Sequence, residues 1–165
     1  MIRLLTPADA ALYRAIRLEA LEAHPEAFAS TFAREQEKPL AWFEERLTAS
    51  DIFGAFIDGE FVGIAGFHRQ DGPQTMHKAH LWGMYVRQQA GRAGVGRHLV
   101  DTVIAHAAKH VEKLQLSVMS KNEAALRLYK TTGFVEYGRE VKAFKQNGQY
   151  FDEVLMELFL DGSNK

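Results

Sequence analysis

Gly83-Met84-Tyr85-Val86-Arg87-Gln88-Gln89-Ala90-Gly91-Arg92-Ala93-Gly94-Val95-Gly96-Arg97 reads as the end of a strand, a glycine-rich turn and the start of a helix. A turn poor in side chains aims several main-chain N–H groups at one point where a helix begins. The helix dipole adds partial positive charge there, so the segment predicts an anion site suited to phosphate. Arg87, Arg92 and Arg97 put a local basic patch around it.

Two phosphate motifs can be tested against this turn. A P-loop needs Gly, four residues, Gly, Lys and then Ser or Thr. Gly91 and Gly96 have that spacing, but Arg97 and His98 follow, and an imidazole does not replace the magnesium-binding hydroxyl. A dinucleotide fold places Gly-x-Gly-x-x-Gly early in a βαβ unit. Here Gly94-Val95-Gly96 is followed by Leu99 at the third position, and three consecutive strands precede the turn. A loop that merely turns the chain is the alternative the motif alone leaves open.

Working outward toward the N-terminus, Asp58-Gly59 marks a hairpin between the apolar strands Ile52 to Ile57 and Phe61 to Phe67. His77 to Val86 reads as the third strand of that run. Ile2 to Leu5 is a short strand, and Thr6, Pro7 and Asp9 open a helix that runs to about Ala23. A second helix fits Pro39 to Ala49, from the spacing of Leu40, Phe43 and Leu47. Toward the C-terminus, Gly94 to about His110 is helical, Leu114 to Val118 is a strand, and Asn122 to Thr132 is a helix closed by Gly133. Val135 to Phe144 and Tyr150 to Leu160 make a last hairpin across Gln146-Asn147-Gly148, before a polar tail from Asp161 that is expected to fray. No linker or repeat divides the 165 residues. The order predicts one α/β (α+β) domain over residues 1–165, with a mixed, mostly antiparallel sheet of about seven strands and flanking helices.

A second constellation decides between the readings of the turn. Asn122-Glu123-Ala124-Ala125-Leu126-Arg127-Leu128-Tyr129-Lys130-Thr131-Thr132-Gly133-Phe134 puts Asn122 and Tyr129 two helical turns apart, on one face. Together with the strand, glycine turn and helix before it, this pattern resembles the GNAT superfamily of acetyl-CoA-dependent N-acetyltransferases. The resemblance covers most of the chain from Ile52 to Phe159, and the N-terminal strand and helices fit the same order. It departs at Gly91, where family members usually carry Arg or Gln, and at Gln88, where Pro is common.

The resemblance implies acetyl-CoA as cosubstrate, its pantetheine arm lying between the strands that end at Val86 and begin near Leu114. Met84, Tyr85 and Val86 would bind that arm like an added strand, and the N–H of Tyr85 or Met84 would polarise the thioester carbonyl. Arg92, Ala93, Gly94, Val95, Gly96 and Arg97 would wrap the pyrophosphate. Tyr129 is the expected general acid for the departing thiolate. Asn122 is expected both to cap its helix and to face the cofactor. The strand before the turn has no acid, so His80 is the leading general base; strict alternation puts it on one face with Trp82, Met84 and Val86. Glu35, in the segment Phe32 to Pro39 that the resemblance assigns to the acceptor pocket, is a second candidate, and a water relay is a third. Trp82 is expected to line the acceptor site with Glu35.

Composition bounds the partners. Formal net charge is -1 with the basic residues spread along the chain, which argues against a nucleic-acid surface. There is no cysteine, hence no disulfide, thiolate metal site or cysteine nucleophile. His106 and His110 lie four apart on a helix without the Glu of a zincin, so no metal is expected. No apolar run approaches the roughly 20 residues of a spanning helix, and the N-terminus lacks a signal-peptide core. The expectation is a cytoplasmic enzyme acting on a small-molecule or peptide amine, with a homodimer through the last hairpin or sheet edge as an option. A non-catalytic module that binds a CoA thioester or a partner on the same fold is the competing reading.

Overall fold

A computed structural model describes residues 1–160; the tail from Asp161 lies outside the described residues. Seven strands form one sheet: β1 (Ile2–Leu4), β2 (Asp51–Ile57), β3 (Glu60–Arg69), β4 (Lys78–Val86), β5 (Lys113–Met119), β6 (Val135–Gln146) and β7 (Gln149–Phe159). Their order is β1-β2-β3-β4-β5-β7-β6, and every neighbouring pair is antiparallel except the parallel β4–β5. This is the mixed, mostly antiparallel sheet expected. The two hairpins turn where predicted: Asp58-Gly59 and Asn147-Gly148 all have positive φ, which two-residue turns between twisted strands require.

Among the described residues five α-helices flank the sheet: α1 (Ala10–Ala23), α2 (Phe32–Gln36), α3 (Leu40–Ala49), α4 (Val95–Ala107) and α5 (Glu123–Thr131). Helices α1 and α3 cover one face, where Tyr13, Ile16, Phe43 and Leu47 pack on Ile52, Phe61 and Ile64. Helix α4 covers the other, burying Leu99, Val100, Val103 and Ala107 against β2, β3 and β5. Helix α2 was not expected: five residues carry too little periodicity to register. Its visible signal is Thr31, whose hydroxyl accepts from the Arg34 N–H at 3.2 Å as an N-cap. Helix α4 ends at Ala107 rather than near His110, the chain leaving in turns.

The expected face of β4 needs correction. Ile64 pairs with Tyr85 and Gly66 with Trp82, so β4 carries one residue more than β3 between these pairs. The extra residue is a bulge at Gly83-Met84, and Gly83 takes φ +63, a conformation glycine adopts without steric cost. A bulge reverses the alternation beyond it. Trp82 therefore packs with the α1–α3 core, Met84 and Val86 join the α4 core, and Tyr85 takes the face that alternation had given to Met84. The single face of His80, Trp82, Met84 and Val86 does not exist. Strict alternation fails because the inserted residue is silent in a hydrophobic pattern.

A second feature follows on the other side of β4. It pairs with β5 only through Lys78, Ala79 and His80, opposite Lys113, Leu114 and Gln115. Strand β5 continues on β7 to Met119. The middle of the sheet thus opens beyond His80, between two strands that remain anchored on their outer sides.

Candidate active site

The opening leads from the bulge to the α4 N-terminus. Gly94 caps α4 in the left-handed region, φ 73, and the His98 N–H is the first to bond back, to the Gly94 carbonyl at 3.1 Å. The N–H groups of Val95, Gly96 and Arg97 consequently have no partner within the helix. Ala93 is different, since its N–H donates to the Ala90 carbonyl at 3.1 Å. Gly96 sits against Met84 and Val86 of β4 and Leu128 of α5, so the glycine turn and the end of β4 form one corner. Of the basic patch, Arg92 is exposed. Arg97 pairs with Asp101 at 3.1 Å. Arg87 points elsewhere: it donates to Glu19 at 2.9 Å and to the Phe61 carbonyl at 2.7 Å, and it pins β4 to α1 and β3.

Between the splayed strands lies a cavity of about 130 Å³, walled by Trp82, Gly83 and Met84 on one side and Ser117, Asn122 and Tyr129 on the other. The expected pairing of Asn122 with Tyr129 is there. Asn122 caps α5 through its side-chain oxygen, which accepts from the Ala125 N–H at 3.2 Å. Tyr129 is buried with its ring edge-on to Phe134, and that burial holds its phenol well above the usual tyrosine range. A phenol so placed stays protonated near neutral pH, so it can offer a proton but does not serve as a base.

His80 is not in this cavity. It lines a separate pocket of about 400 Å³ with Arg46, Ser50 and His68, and Trp82 is the one side chain common to both. Burial, then the charges of Lys78 and His68, hold the His80 imidazole below its ordinary value. Trp82 lies flat against β3, where any side chain at Gly66 would strike the indole at 2.7 Å. Glu35 has a partner that the sequence did not indicate. Arg17 donates to its two oxygens from Nε at 3.0 Å and Nη2 at 2.9 Å, and both side chains are buried. Burial raises the Glu35 carboxyl, but hydrogen bonds from Arg17 and Ser30 and the charges of Arg17 and Arg46 outweigh it, and the net shift is downward. A carboxylate so held is a poor proton acceptor. Among the described residues no group of three or more His, Cys, Asp or Glu side chains is arranged to hold a metal, and no helix is long and apolar enough to cross a membrane.

Residues 13–134 match the model of the Acetyltransferase (GNAT) family. The chain belongs to that family. It is 31% identical over 136 residues to a mycothiol acetyltransferase of Brachybacterium faecium; the match covers 81% of this chain and 40% of that protein, so the chain spans well under half of that relative's length. It is 29% identical over 148 residues to the L-amino acid N-acetyltransferase AaaT of Escherichia coli, covering 87% of this chain and 90% of that one. A GNAT acetyltransferase of Streptococcus pneumoniae superposes with a TM-score of 0.84 at 24% identity, over 96% of this chain and 98% of the other. The acetyltransferase yncA of Salmonella typhimurium, solved with acetyl-CoA, superposes at 0.80 and 24% identity over 98% and 94%. This GNAT domain accordingly transfers acetyl from acetyl-CoA to an amine.

Proposed function

We propose that the acceptor is a primary amine on a small molecule or peptide, acetylated by direct attack on the thioester within the β4–β5 opening. The observation that carries this is the continuity of that opening, from the free N–H groups of α4 past Met84 to Tyr129. Met84, Tyr85 and Val86 hold the pantetheine arm with their main chain. The N–H groups of Arg92, Gly94, Val95, Gly96 and Arg97 take the pyrophosphate, with Ala93 shaping the turn. Asn122 steadies the arm from the α5 cap.

His80 does not line this cavity, so it takes the proton of the ammonium through water passing the edge of Trp82, leaving a neutral amine. The amine nitrogen forms a bond to the acetyl carbon while the N–H of Met84 or Tyr85 holds the developing oxyanion. The C–S bond then breaks, Tyr129 gives its proton to the CoA thiolate, and the proton shed by the new amide nitrogen returns to the Tyr129 oxygen. Acetyl-CoA as cosubstrate favours a cytoplasmic location, and the exposed Val135, Tyr137 and Val141 along the outer strand β6 favour a homodimer built on that edge.

The test is thiol release from acetyl-CoA over a panel of amines and peptides. Tyr129→Phe is expected to lower kcat by about 10²-fold or more with acetyl-CoA affinity little changed, the loss typical of a general acid. Normal turnover in that variant removes the acid role. Binding of CoA without thiol release from any amine favours a non-catalytic module instead.

A further inference from the structure

One cluster beside the opening is left over by this reading. Tyr13 and Arg17 are four residues apart on α1 and share a face. Arg17 is 5% exposed, and its guanidinium lies 5.2 Å from the Phe28 ring and 5.9 Å from that of Trp82. Arg46 of α3 reaches the same indole at 5.0 Å. Glu35 consumes only Nε and Nη2 of Arg17. Nη1 is turned toward the bulge, 3.8 Å from where a Cβ on Gly83 would stand, and nothing else lies within 4 Å of that position. Gly83 therefore does two things: it permits the bulge and it leaves room in front of a buried cation.

Three further polar atoms nearby, Tyr13 Oη, Arg46 Nε and Trp82 Nε1, are buried without a hydrogen bond of good geometry, and Arg46 approaches the Tyr13 hydroxyl closely enough to offset part of the rise that burial gives its phenol. Buried polar groups are almost always satisfied, so donors left over around the Trp82 indole favour a ligand that brings acceptors. All of them can donate, and the charges of Arg17, Arg46 and Glu35 sum to +1. That combination suits one carboxylate. A polyamine or other simple cationic amine would meet repulsion and would leave the donors orphaned.

We propose that Arg17, braced by Glu35 and fronted by Gly83, anchors a carboxylate of the acceptor, so that the preferred substrates are amines carrying a carboxylate a few atoms from the nitrogen, such as α-amino acids. The short spacing follows because Gly83 adjoins Met84 and Tyr85, the residues assigned above to the thioester; the inference rests on that reading. Arg17 Nη1 binds the carboxylate, and Glu35 is a positioning residue that fixes the guanidinium.

The experiment compares a set of α-amino acids with their amides and their decarboxylated amines, at equal free-amine concentration. The unaltered protein is expected to favour the amino acids by about 10- to 100-fold in kcat/KM, the effect of a charge-assisted hydrogen bond in a buried site. Removing Arg17 alone strands a buried carboxylate, so the decisive variant is R17Q combined with E35Q, which removes both charges. It is expected to lose the preference while its KM for acetyl-CoA stays the same. Arg17→Lys, which keeps the charge without the fork, is expected to show an intermediate preference. Equal rates on amino acid and amide, or a preference that survives in R17Q/E35Q, overturn the anchor while acetyl transfer stands. Calorimetry on the CoA-loaded protein separates the other failure. If no amine is acetylated yet amino acids still bind better than their amides, the transfer reading falls and the anchor stands. With neither turnover nor a binding preference, both fall.

Discussion

At the scale of single residues, the proposed base His80 makes a prediction about pH dependence. Its pKa is lowered by burial and by Lys78 and His68, so it is uncharged above that lowered value and charged below it. A base must be deprotonated to act. Activity therefore rises with pH through the lowered value, and the acid limb of kcat/KM lies below the ordinary histidine pKa of about 6.5. His80→Gln is expected to abolish that limb and lower kcat/KM by about 10²-fold or more. An unchanged profile in this variant assigns the limb to another group. Tyr129 and Asn122 were legible in the sequence because an interval of seven on a helix fixes their shared face whatever surrounds them. Arg17 was not legible. A charged residue among Ile16 and Leu18 carries no mark of the Glu35 it will meet, because the partner lies on another helix and only tertiary packing brings it near.

At the scale of elements, the glycine turn tolerates more than its composition suggests. Gly91 has φ -61, an ordinary right-handed conformation, and an added Cβ would come no closer than 3.4 Å to the Gln88 carbonyl. Restoring the family's usual residue is thus free of backbone strain. Gly91→Arg is expected to lower KM for acetyl-CoA about 3- to 10-fold by adding a guanidinium at the phosphates, with kcat unchanged. The start of the first helical segment makes a stability prediction. Asp9 accepts from the Thr6 N–H at 2.8 Å and takes a two-pronged bond from Arg3 at 2.9 Å. The Arg3 hydrogen bond leads in lowering its carboxyl to about 2 against burial, with Thr6 adding to it. A depressed acid stabilises the fold above its unfolded pKa near 4 and loses that contribution as pH falls toward 2. Asp9→Asn is expected to cost about 1 kcal/mol at pH 7 in denaturant titration, a cost that shrinks as pH falls below about 4 and vanishes below about 2. Element type and order were readable because period and turn residues are local signals. The facing of β4 was not, because one inserted residue at Gly83 resets the count.

At the scale of the whole molecule, the sheet consists of two antiparallel blocks, β1 to β4 and β5 with β7 and β6, joined at its centre by only three parallel residue pairs. Helices α1 and α3 close one face and α4 the other, and the seam between the two blocks runs between them. Whatever lies in that seam acts as a shared edge partner for β4, and its concentration then enters the folding equilibrium. The main chain of β4 beyond His80 should report this directly. Amide hydrogen exchange at Leu81 to Val86 is expected to slow sharply on adding acetyl-CoA, while the β6–β7 hairpin stays unchanged; uniform protection, or none, would deny the seam that role. By mass action, cosubstrate at about 100 times its Kd adds about 2.7 kcal/mol to the folded state. The abundance of the folded protein in a cell is thereby tied to the supply of the molecule it consumes.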